Sequence, residues 1–593
     1  MFSAQSRLLS SLRHNVARRT GAPTAAFSTS AAVSESANTE MLCMQCEQTE
    51  NGTGCTTVGI CGKTPEVAAM QDVLVNSVKA LGALCTEARA AGVSETDLAD
   101  MNDFTLKSLY STLTNVNFDK YRMKGFIRDC ADLADETVDL IKSAGATASA
   151  SPLIGGSTAT GMMVKDFVEL GESVGLQARQ AKLGNDRVAL EELVTYGLKG
   201  VAAYAAEAED QILATSTVAD MHDAMAKLNN PDTTNDELVG LSLKVGEVNV
   251  GVLAALDANH NEKFGAPEPT AVSTAAKKGP AILVSGHHMT DLKAILEQTK
   301  DKGVNVYTHG ELMPANTYPE LKKYDHLVGN YGGAWQLQKM EFGRFPGPVV
   351  VTTNCLLEPR KKYADRIFTT NSVGFEDVPH IADGDYSAVV EKALSMDGFK
   401  ADEKPSSVTA GFGHKAVLGL ADVVVNAVKE GDIKHFFLIG GCDGTEGERS
   451  YFRNLAQKTP DDSVILTLGC GKYRLIKEDL GVIKTKGGAE IPRILDMGQC
   501  NDAYSAVVVA NTLAEVFKTD VNGLPLSFAV SWFEQKAVAI LLSLLHLGVK
   551  HVRIGPALPA FIPADTLGML VENFGLKPIG DVDEDLKNML NNE

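Results

Sequence analysis

The chain has 593 residues, 44% apolar and 22% charged, with a formal net charge of −20. That length exceeds one ordinary domain, and the composition supports a well-buried globular core rather than a disordered chain. The negative balance argues against a nucleic-acid-binding surface, because phosphates are met by clustered Lys and Arg, and it points to partners that present a basic patch.

Residues 1–34 contain Arg7, Arg13, Arg18 and Arg19 among many Ser and Ala, with no acidic residue. This is the composition of a mitochondrial-type transit peptide, so 1–40 is read as a leader addressed to the mitochondrial matrix. A hydrogenosome, a plastid and the cytoplasm are the alternatives. No uninterrupted apolar run is long enough to cross a bilayer, and the most apolar stretch, 537–547, reads as a buried helix.

Directly after the leader stand Cys43, Cys46, Cys55 and Cys61, spaced C-x2-C-x8-C-x5-C. Clustered cysteines in a chain of this size point to metal binding rather than a disulfide framework. Thiolates suit iron–sulfur clusters or zinc, and the wide second interval departs from paired C-x2-C zinc ribbons, which favours iron–sulfur. Gly52, Gly54, Gly59 and Gly62 let the loop fold tightly around a compact centre.

Thr64 followed by Pro65 reads as a helix N-cap with Pro at the first helical position. From there to about residue 256 apolar residues recur at three- and four-residue intervals, and strand-like runs are nearly absent. Residues 41–270 are therefore expected to form an all-α domain. Cys85 and Cys130 fall on these helical segments and read as packing residues. A Pro-, Ala- and Thr-containing stretch, 266–278, reads as a linker. Short apolar runs then alternate with helical segments, the pattern of βαβ units and parallel sheet. A break at Lys404–Pro405–Ser406–Ser407 divides this half into α/β domains at 279–404 and 405–593.

Seven apolar runs in the second half each end at a potential metal ligand: His287, Glu311, Cys355, Cys442, Cys470, Cys500 and Glu534. Ligands of open α/β sheets bind outside the carboxyl ends of the strands, so these side chains are candidates for one shared site. Gly286, Gly310, Gly441 and Gly469 directly precede four of them, as expected where backbone approaches a bulky group. Singly, such a Cys packs and such a Glu caps a helix; together, four Cys, two Glu and one His form a mixed donor set that no simple four-thiolate cubane explains. No G-x-G-x-x-G with a following acidic residue is present, which argues against a nicotinamide or flavin site. Gly411-Phe412-Gly413-His414-Lys415 reads as a turn opening a domain.

These motifs resemble those of the hybrid-cluster proteins, also called prismane proteins or hydroxylamine reductases. The resemblance rests on Met-Leu-Cys43-Met-Gln-Cys46-Glu-Gln-Thr with Cys55 and Cys61, Val-Ser-Gly-His287, Tyr-Thr-His-Gly-Glu311, Thr-Thr-Asn-Cys355, Gly-Gly-Cys442-Asp-Gly, Gly-Cys470-Gly-Lys-Tyr-Arg, Gly-Gln-Cys500-Asn-Asp-Ala-Tyr and Trp-Phe-Glu534-Gln-Lys-Ala-Val. It runs from residue 41 to near the C-terminus. It implies a helical domain followed by two Rossmann-like domains. It also implies a 4Fe–4S cluster on Cys43, Cys46, Cys55 and Cys61, and a hybrid 4Fe–2O–2S cluster on the seven later residues, with Cys442 able to carry a persulfide. The implied activity is two-electron reduction of hydroxylamine to ammonia and water, with electrons from an NADH-dependent reductase or a ferredoxin. Candidate acid–base residues are His287, Glu311, Glu534 and Lys536, with His288 beside them.

Two positions depart from the family pattern. His288 stands where bacterial members have Asp, and Lys484–Gly488 lengthens the interval between Cys470 and Cys500. Rival readings are nitric oxide reduction, protein nitrosylation or peroxidase activity in nitrosative stress, a nickel-containing carbon monoxide dehydrogenase relative, and a non-enzymatic iron–sulfur sensor.

Overall fold

The computed structural model describes residues 41–208, 212, 216–444 and 449–591. The leader read at 1–40 lies outside them. The first part is helical. Pro65–Ala90 opens as expected, with the Thr64 side chain accepting from the Val67 amide at 3.3 Å. Ala99–Ser111 and Lys120–Ser143 follow. The stretch 164–183 is two helices, Val164–Val174 and Leu176–Leu183, joined at an extended Gly175. The two longest later helices are Asn185–Ala208 and Asn235–Phe264. The latter starts with a reciprocal capping box: the Glu237 amide donates to Thr234 Oγ1 at 3.3 Å and the Thr234 amide to Glu237 Oε2 at 2.7 Å. Cys85 and Cys130 are fully buried in this helical core.

Pro65–Ala90 and Asn235–Phe264 are long and apolar enough to span a bilayer by length and composition. Polar residues interrupt both, so neither is an uninterrupted apolar run. In this fold the most apolar window of the first is 83% buried inside the protein and that of the second 50%.

Among the described residues the rest of the chain supplies sixteen strands: β1 (Thr270–Ser273), β2 (Ala281–Ser285), β3 (Asn305–His309), β4 (Leu327–Asn330), β5 (Val349–Val351), β6 (Ile367–Thr370), β7 (His380–Ile381), β8 (Ser407–Ala410), β9 (His435–Gly441), β10 (Ser463–Thr467), β11 (Val482–Lys484), β12 (Glu490–Pro492), β13 (Ile494–Asp496), β14 (Leu526–Ser531), β15 (Arg553–Gly555) and β16 (Lys577–Pro578). Twelve of them form two parallel six-stranded sheets, ordered β4-β3-β2-β5-β6-β7 and β13-β10-β9-β14-β15-β16, and the other four pair antiparallel as β1-β8 and β11-β12. Strands covered on both faces read as continuous apolar runs, and β3, β5 and β10 are buried at every residue.

Two expectations need correction. The stretch 266–278, read as a linker, contains β1, which pairs antiparallel with β8 at the other break, Thr270 opposite Ala410 and Ser273 opposite Ser407. Short alternating segments with β-branched residues satisfy each other across a wide gap in sequence. The added segment 484–488 is the turn of a β11–β12 hairpin. The turn read at 411–415 holds only to Gly413, since a short helix, His414–Leu418, begins at the next residue.

The helix Gln535–His546 packs into both long helices of the first part through glycine backbones. A Cβ on Gly200 would sit 2.3 Å from the Gln535 carbonyl oxygen, and one on Gly246 would sit 2.2 Å from that of Leu542. Glycine is unfavourable inside a helix, so its presence at these crossings reflects backbone approach. Replacing Gly246 with Val should cost about 1–3 kcal/mol through overpacking. Chemical denaturation should show this as a lower midpoint; an unchanged midpoint would mean the helices do not meet there.

Candidate metal centre

The N-terminal loop folds back on itself through a two-residue ladder. The Cys43 and Cys55 amides each donate to the other's carbonyl at 3.0 Å. The Glu50 amide donates to Cys55 Sγ at 3.4 Å, and Thr49 Oγ1 lies 3.8 Å from the same sulfur. Such contacts stabilise a thiolate. Burial, then the neighbouring Cys43 and Cys61 thiols, push the Cys46 thiol well above its ordinary range. Burial does the same to Cys61, opposed by Lys63. The four thiols are close enough to act on one another's proton affinity. Among the described residues the sole set of three ligand-type groups within 4.8 Å of one another lies elsewhere, so these sulfurs are more spread than the separations of about 3.8 Å that a tetrahedral zinc with 2.3 Å bonds would impose. The cage suits a larger group.

The second set is built by strand ends. His287 follows β2, Glu311 follows β3 and Cys355 follows β5. Cys442, Cys470, Cys500 and Glu534 follow β9, β10, β13 and β14. In the first sheet β3-β2-β5 are contiguous, and in the second β13-β10-β9-β14 are contiguous. Each set spans the place where strand order reverses, between β2 and β5 and between β9 and β14, where doubly wound sheets open a crevice at their carboxyl edges. Gly286 and Gly441 (φ +124° and +110°) show why side chains are excluded here: a Cβ on the former would meet Thr352 and Thr353 Oγ1 at 2.5 Å, and one on the latter the Ser531 carbonyl at 2.0 Å. Cys355 itself has φ +77°, a left-handed conformation costly for a non-glycine residue and common where function constrains the backbone.

The two edges meet. The Cys500 amide donates to Glu311 Oε2 at 2.8 Å, and the ligand atoms of His287, Glu311 and Cys500 lie within 4.8 Å of one another. Asn354 Nδ2 donates to Cys355 Sγ at 3.6 Å and to Glu534 Oε1 at 3.3 Å, joining the remaining carboxylate to the first sheet. Burial raises the Cys355, Cys442 and Cys470 thiols. Glu534 and Cys442 add to this at Cys355, Glu534 and Glu311 at Cys442, and Glu311 and Cys355 at Cys470. Burial also raises Cys500, where Lys536 opposes it, and raises Glu311, with Lys472 opposing. Glu534 is pushed up to about 7 by burial, against hydrogen bonding and the nearby Lys536. Buried sulfurs and carboxylates that raise one another's proton affinity are relieved by a bound multivalent metal group.

His287 is ready to ligate. Burial, then the positive charges of Lys536 and Lys472, hold its pKa well below the ordinary range, so it is neutral. Its Nδ1 lies 2.8 Å from Thr353 Oγ1; donation of the Nδ1 proton to that hydroxyl leaves the Nε2 lone pair for a metal. Glu311 Oε1, Asn354 Oδ1 and Gln499 Oε1 are buried without a hydrogen-bond partner. Orphaned acceptors of this kind are expected where a group they would face is to be bound. The donor set of four sulfurs, two carboxylates and one imidazole suits iron with both soft and hard positions.

Of the four candidate acid–base residues, His287, Glu311 and Glu534 carry the donor atoms just described. Lys536 reaches the same place by a different route. Its ammonium is bound to Glu207 Oε1 at 2.9 Å and Asn501 Oδ1 at 3.1 Å, and it lies 4.9 Å from the centre of the Tyr204 ring. Burial opposes its charge, but Glu207, Cys500 and Tyr110 together outweigh burial and raise its pKa. It is a fixed positive charge beside the sulfurs. His288 turns to Asp291, with Nδ1 3.0 Å from Oδ2, at the start of the helix Met289–Thr299.

Sequence reasoning passed over Thr353, Glu207, Asn501 and Lys472. Lys472 is fully buried and pairs with Asp496 Oδ1 at 2.8 Å while donating to the Gly498 carbonyl at 2.5 Å, which ties the loops carrying Cys470 and Cys500. Its place two residues after Cys470, and Asn501's place next to Cys500, were the available signals; Glu207 showed only as an acid in an Ala-rich helix.

The N-terminal cage docks on this centre. The Glu47 amide donates to the Phe533 carbonyl at 2.9 Å. Cys46 and Cys470 share an apolar cluster with Trp335 and Phe533, whose ring centroids are 4.2 Å apart, and Cys355 and Cys442 flank it. A cavity of 140 Å³ with mostly apolar walls reaches Cys442, Cys500, Tyr204 and Lys536 along the helices Ala503–Phe517 and Gln535–His546.

The profile of the Prismane/CO dehydrogenase family matches residues 41–587. Curated proteins named hydroxylamine reductase are similar over almost the whole chain. That of Zymomonas mobilis is 48% identical over 93% of this chain and 99% of its own length. Those of Methanocella arvoryzae and Syntrophobacter fumaroxidans are 46% and 45% identical, each over 93% of this chain and 100% of its own length. Among solved structures, carbon monoxide dehydrogenase IV from Carboxydothermus hydrogenoformans shares the fold at 14% identity, with a TM-score of 0.54 over 93% of this chain and 92% of that one.

Replacing Thr353 with Val removes the hydroxyl that orients His287. Loss of such an orienting partner should lower metal affinity or activity about 10- to 100-fold. Iron counting on purified protein checks this, and wild-type loading with wild-type activity would remove Thr353 from that role.

Proposed function

The chain belongs to the Prismane/CO dehydrogenase family, and from that premise we propose that it is a hydroxylamine reductase, NH2OH + 2e− + 2H+ → NH3 + H2O. One observation carries this reading: four cysteines, two glutamates and a histidine brought together at the facing carboxyl edges of two parallel sheets, with an orphaned carboxylate oxygen on Glu311. The relatives at 45–48% identity that bear the name hydroxylamine reductase support it. The protein is an iron–sulfur oxidoreductase that takes electrons from a donor and a small molecule as substrate. The finer assignment is a 4Fe–4S cluster held by Cys43, Cys46, Cys55 and Cys61, and a hybrid Fe–S–O cluster held by His287, Glu311, Cys355, Cys442, Cys470, Cys500 and Glu534, with Cys442 as the persulfide candidate.

His287, Glu311, Cys355, Cys442, Cys470, Cys500 and Glu534 would hold the hybrid cluster, which would supply Lewis-acid and electron-transfer chemistry there. The chain's own residues do the rest. Lys536 and Lys472, each braced by a buried carboxylate, hold positive charge beside the sulfurs and Glu311. Glu534 and Glu311, both raised by burial, would give up their protons to the bound cluster and serve as its oxygen donors. Phe533 and Trp335 exclude water between the two cysteine sets. The leader composition supports a mitochondrial matrix location; a reporter fused to 1–40 should enter mitochondria, and diffuse cytosolic signal would contradict this.

The apolar walls of the cavity at Cys442 and Cys500 favour a second reading, reduction of nitric oxide, an apolar diatomic. Parallel anaerobic turnover assays with both substrates separate the two. In those assays Glu311→Gln should reduce turnover to background while leaving the paramagnetic signal of the N-terminal cluster intact. Unchanged turnover would remove Glu311 from the centre.

A further inference from the structure

The polar interior beside Cys43 is not accounted for by either ligand set. A cavity of 30 Å³ lies between the N-terminal loop and the helices Pro65–Ala90 and Asn185–Ala208, with Cys43, Lys63, Asp72, Glu192 and Lys199 in its wall. Part of the wall is electrically balanced. Arg179 pairs with Glu191 at 2.9 Å and Glu192 at 2.5 Å, and Arg187 pairs with Glu191 at 2.9 Å.

Lys63 and Lys199 stand outside that balance. They are 2% and 4% exposed. Lys63 Nζ donates to Gln71 Oε1 at 2.5 Å; Lys199 Nζ donates to Gln45 Oε1 at 3.2 Å and to the Thr112 carbonyl at 3.4 Å. All three partners are neutral. Among the described residues neither ammonium forms an ion pair within 4.0 Å. Buried Lys79 adds another cation near the same acids, so Asp72 faces three lysines. Buried cations are costly unless an anion faces them. Glu192 and Asp72 act on Lys199, but Arg179 and Lys79 draw on the same acids; the further anions are the thiolates, since Cys43 lines the same cavity and also acts on Lys199, and Lys63 acts on Cys61.

We propose that Lys63 and Lys199 are the built-in counter-charge of the group held by Cys43, Cys46, Cys55 and Cys61, that they raise its reduction potential, and that Asp72 opposes them. The inference rests on the iron–sulfur reading of those four cysteines. When that cluster accepts one electron from the external donor, no bond forms or breaks, and its charge becomes one unit more negative. A fixed cation nearby favours the reduced form and a fixed carboxylate disfavours it, most strongly where water is excluded. The two lysines thereby make the N-terminal cluster a better acceptor for the donor, so they are positioning residues for electron entry.

The test is a redox titration of anaerobically purified, iron-loaded protein at pH 7, following the N-terminal cluster by electron paramagnetic resonance. At this pH Lys199, lowered to about 8 chiefly by burial, remains charged, and Asp72, raised to about 6 chiefly by burial, is ionised. Lys199→Gln keeps hydrogen-bonding capacity and loses the charge. It should lower the midpoint by about 59 mV, a tenfold change in the oxidised-to-reduced ratio. Lys199→Arg should restore it, and Asp72→Asn should shift it upward. A packing disturbance has no reason to give opposite signs. Shifts of the same sign, or midpoints that ignore both substitutions while the wild-type signal is present, overturn this inference alone. A wild-type protein with no iron–sulfur signal overturns the cluster reading and the inference with it.

Discussion

A 2.8 Å hydrogen bond from the Cys500 amide to Glu311 Oε2 joins the carboxyl edges of two separate parallel sheets. The chemistry depends on that meeting. Each sheet is wound outward from a central pair of strands, and strand order reverses where the ligand-bearing loops emerge. One sheet alone offers an incomplete donor set, with a single thiolate in the first and no imidazole in the second. Brought together, they form a mixed shell in which burial raises the proton affinity of every sulfur and of both carboxylates. Such a shell is stable when the protons give way to metal.

Three consecutive residues at the start of one helix hold the parts of the molecule in register. Glu534 faces the centre while Oε2 caps its own helix by accepting from the Lys536 amide at 2.8 Å. Gln535 Nε2 donates to the Gln45 carbonyl at 2.7 Å, and its Oε1 accepts from the Thr114 amide at 2.9 Å, binding the N-terminal loop and the helical part. Lys536 runs into the helical core to Glu207. Gly200 and Gly246 permit this seating by letting the helix approach backbone to backbone. The N-terminal cage and the second centre therefore share a support, and the dry contact of Trp335 with Phe533 lies where electrons would pass between them.

The fold class was legible from apolar runs alternating with helical segments, and each candidate ligand drew notice because it sits at the end of such a run, where parallel strands send all ends to one side. The helix start at Thr64 was legible because its cap is local. Three features were not. β1 and β8 satisfy their ladder across more than a hundred residues, so neither segment identifies itself as a strand. The pairing of Lys536 with Glu207 was hidden because the two are 329 positions apart. The pairing of His288 with Asp291, three residues on, was hidden because chain order does not set where the ring turns. In each case the deciding partner is a tertiary neighbour, or a side chain whose direction the chain order does not specify.

The most direct measurement of the central claim is anomalous diffraction at the iron edge from crystals grown without air. Two separate iron assemblies are predicted. One should lie in the N-terminal loop among Cys43, Cys46, Cys55 and Cys61. The other should lie between the two sheets, within bonding distance of sulfur from Cys355, Cys442, Cys470 and Cys500, oxygen from Glu311 and Glu534, and nitrogen from His287. Iron in the loop alone, or a second assembly that leaves the histidine and both carboxylates unbound, would contradict the account.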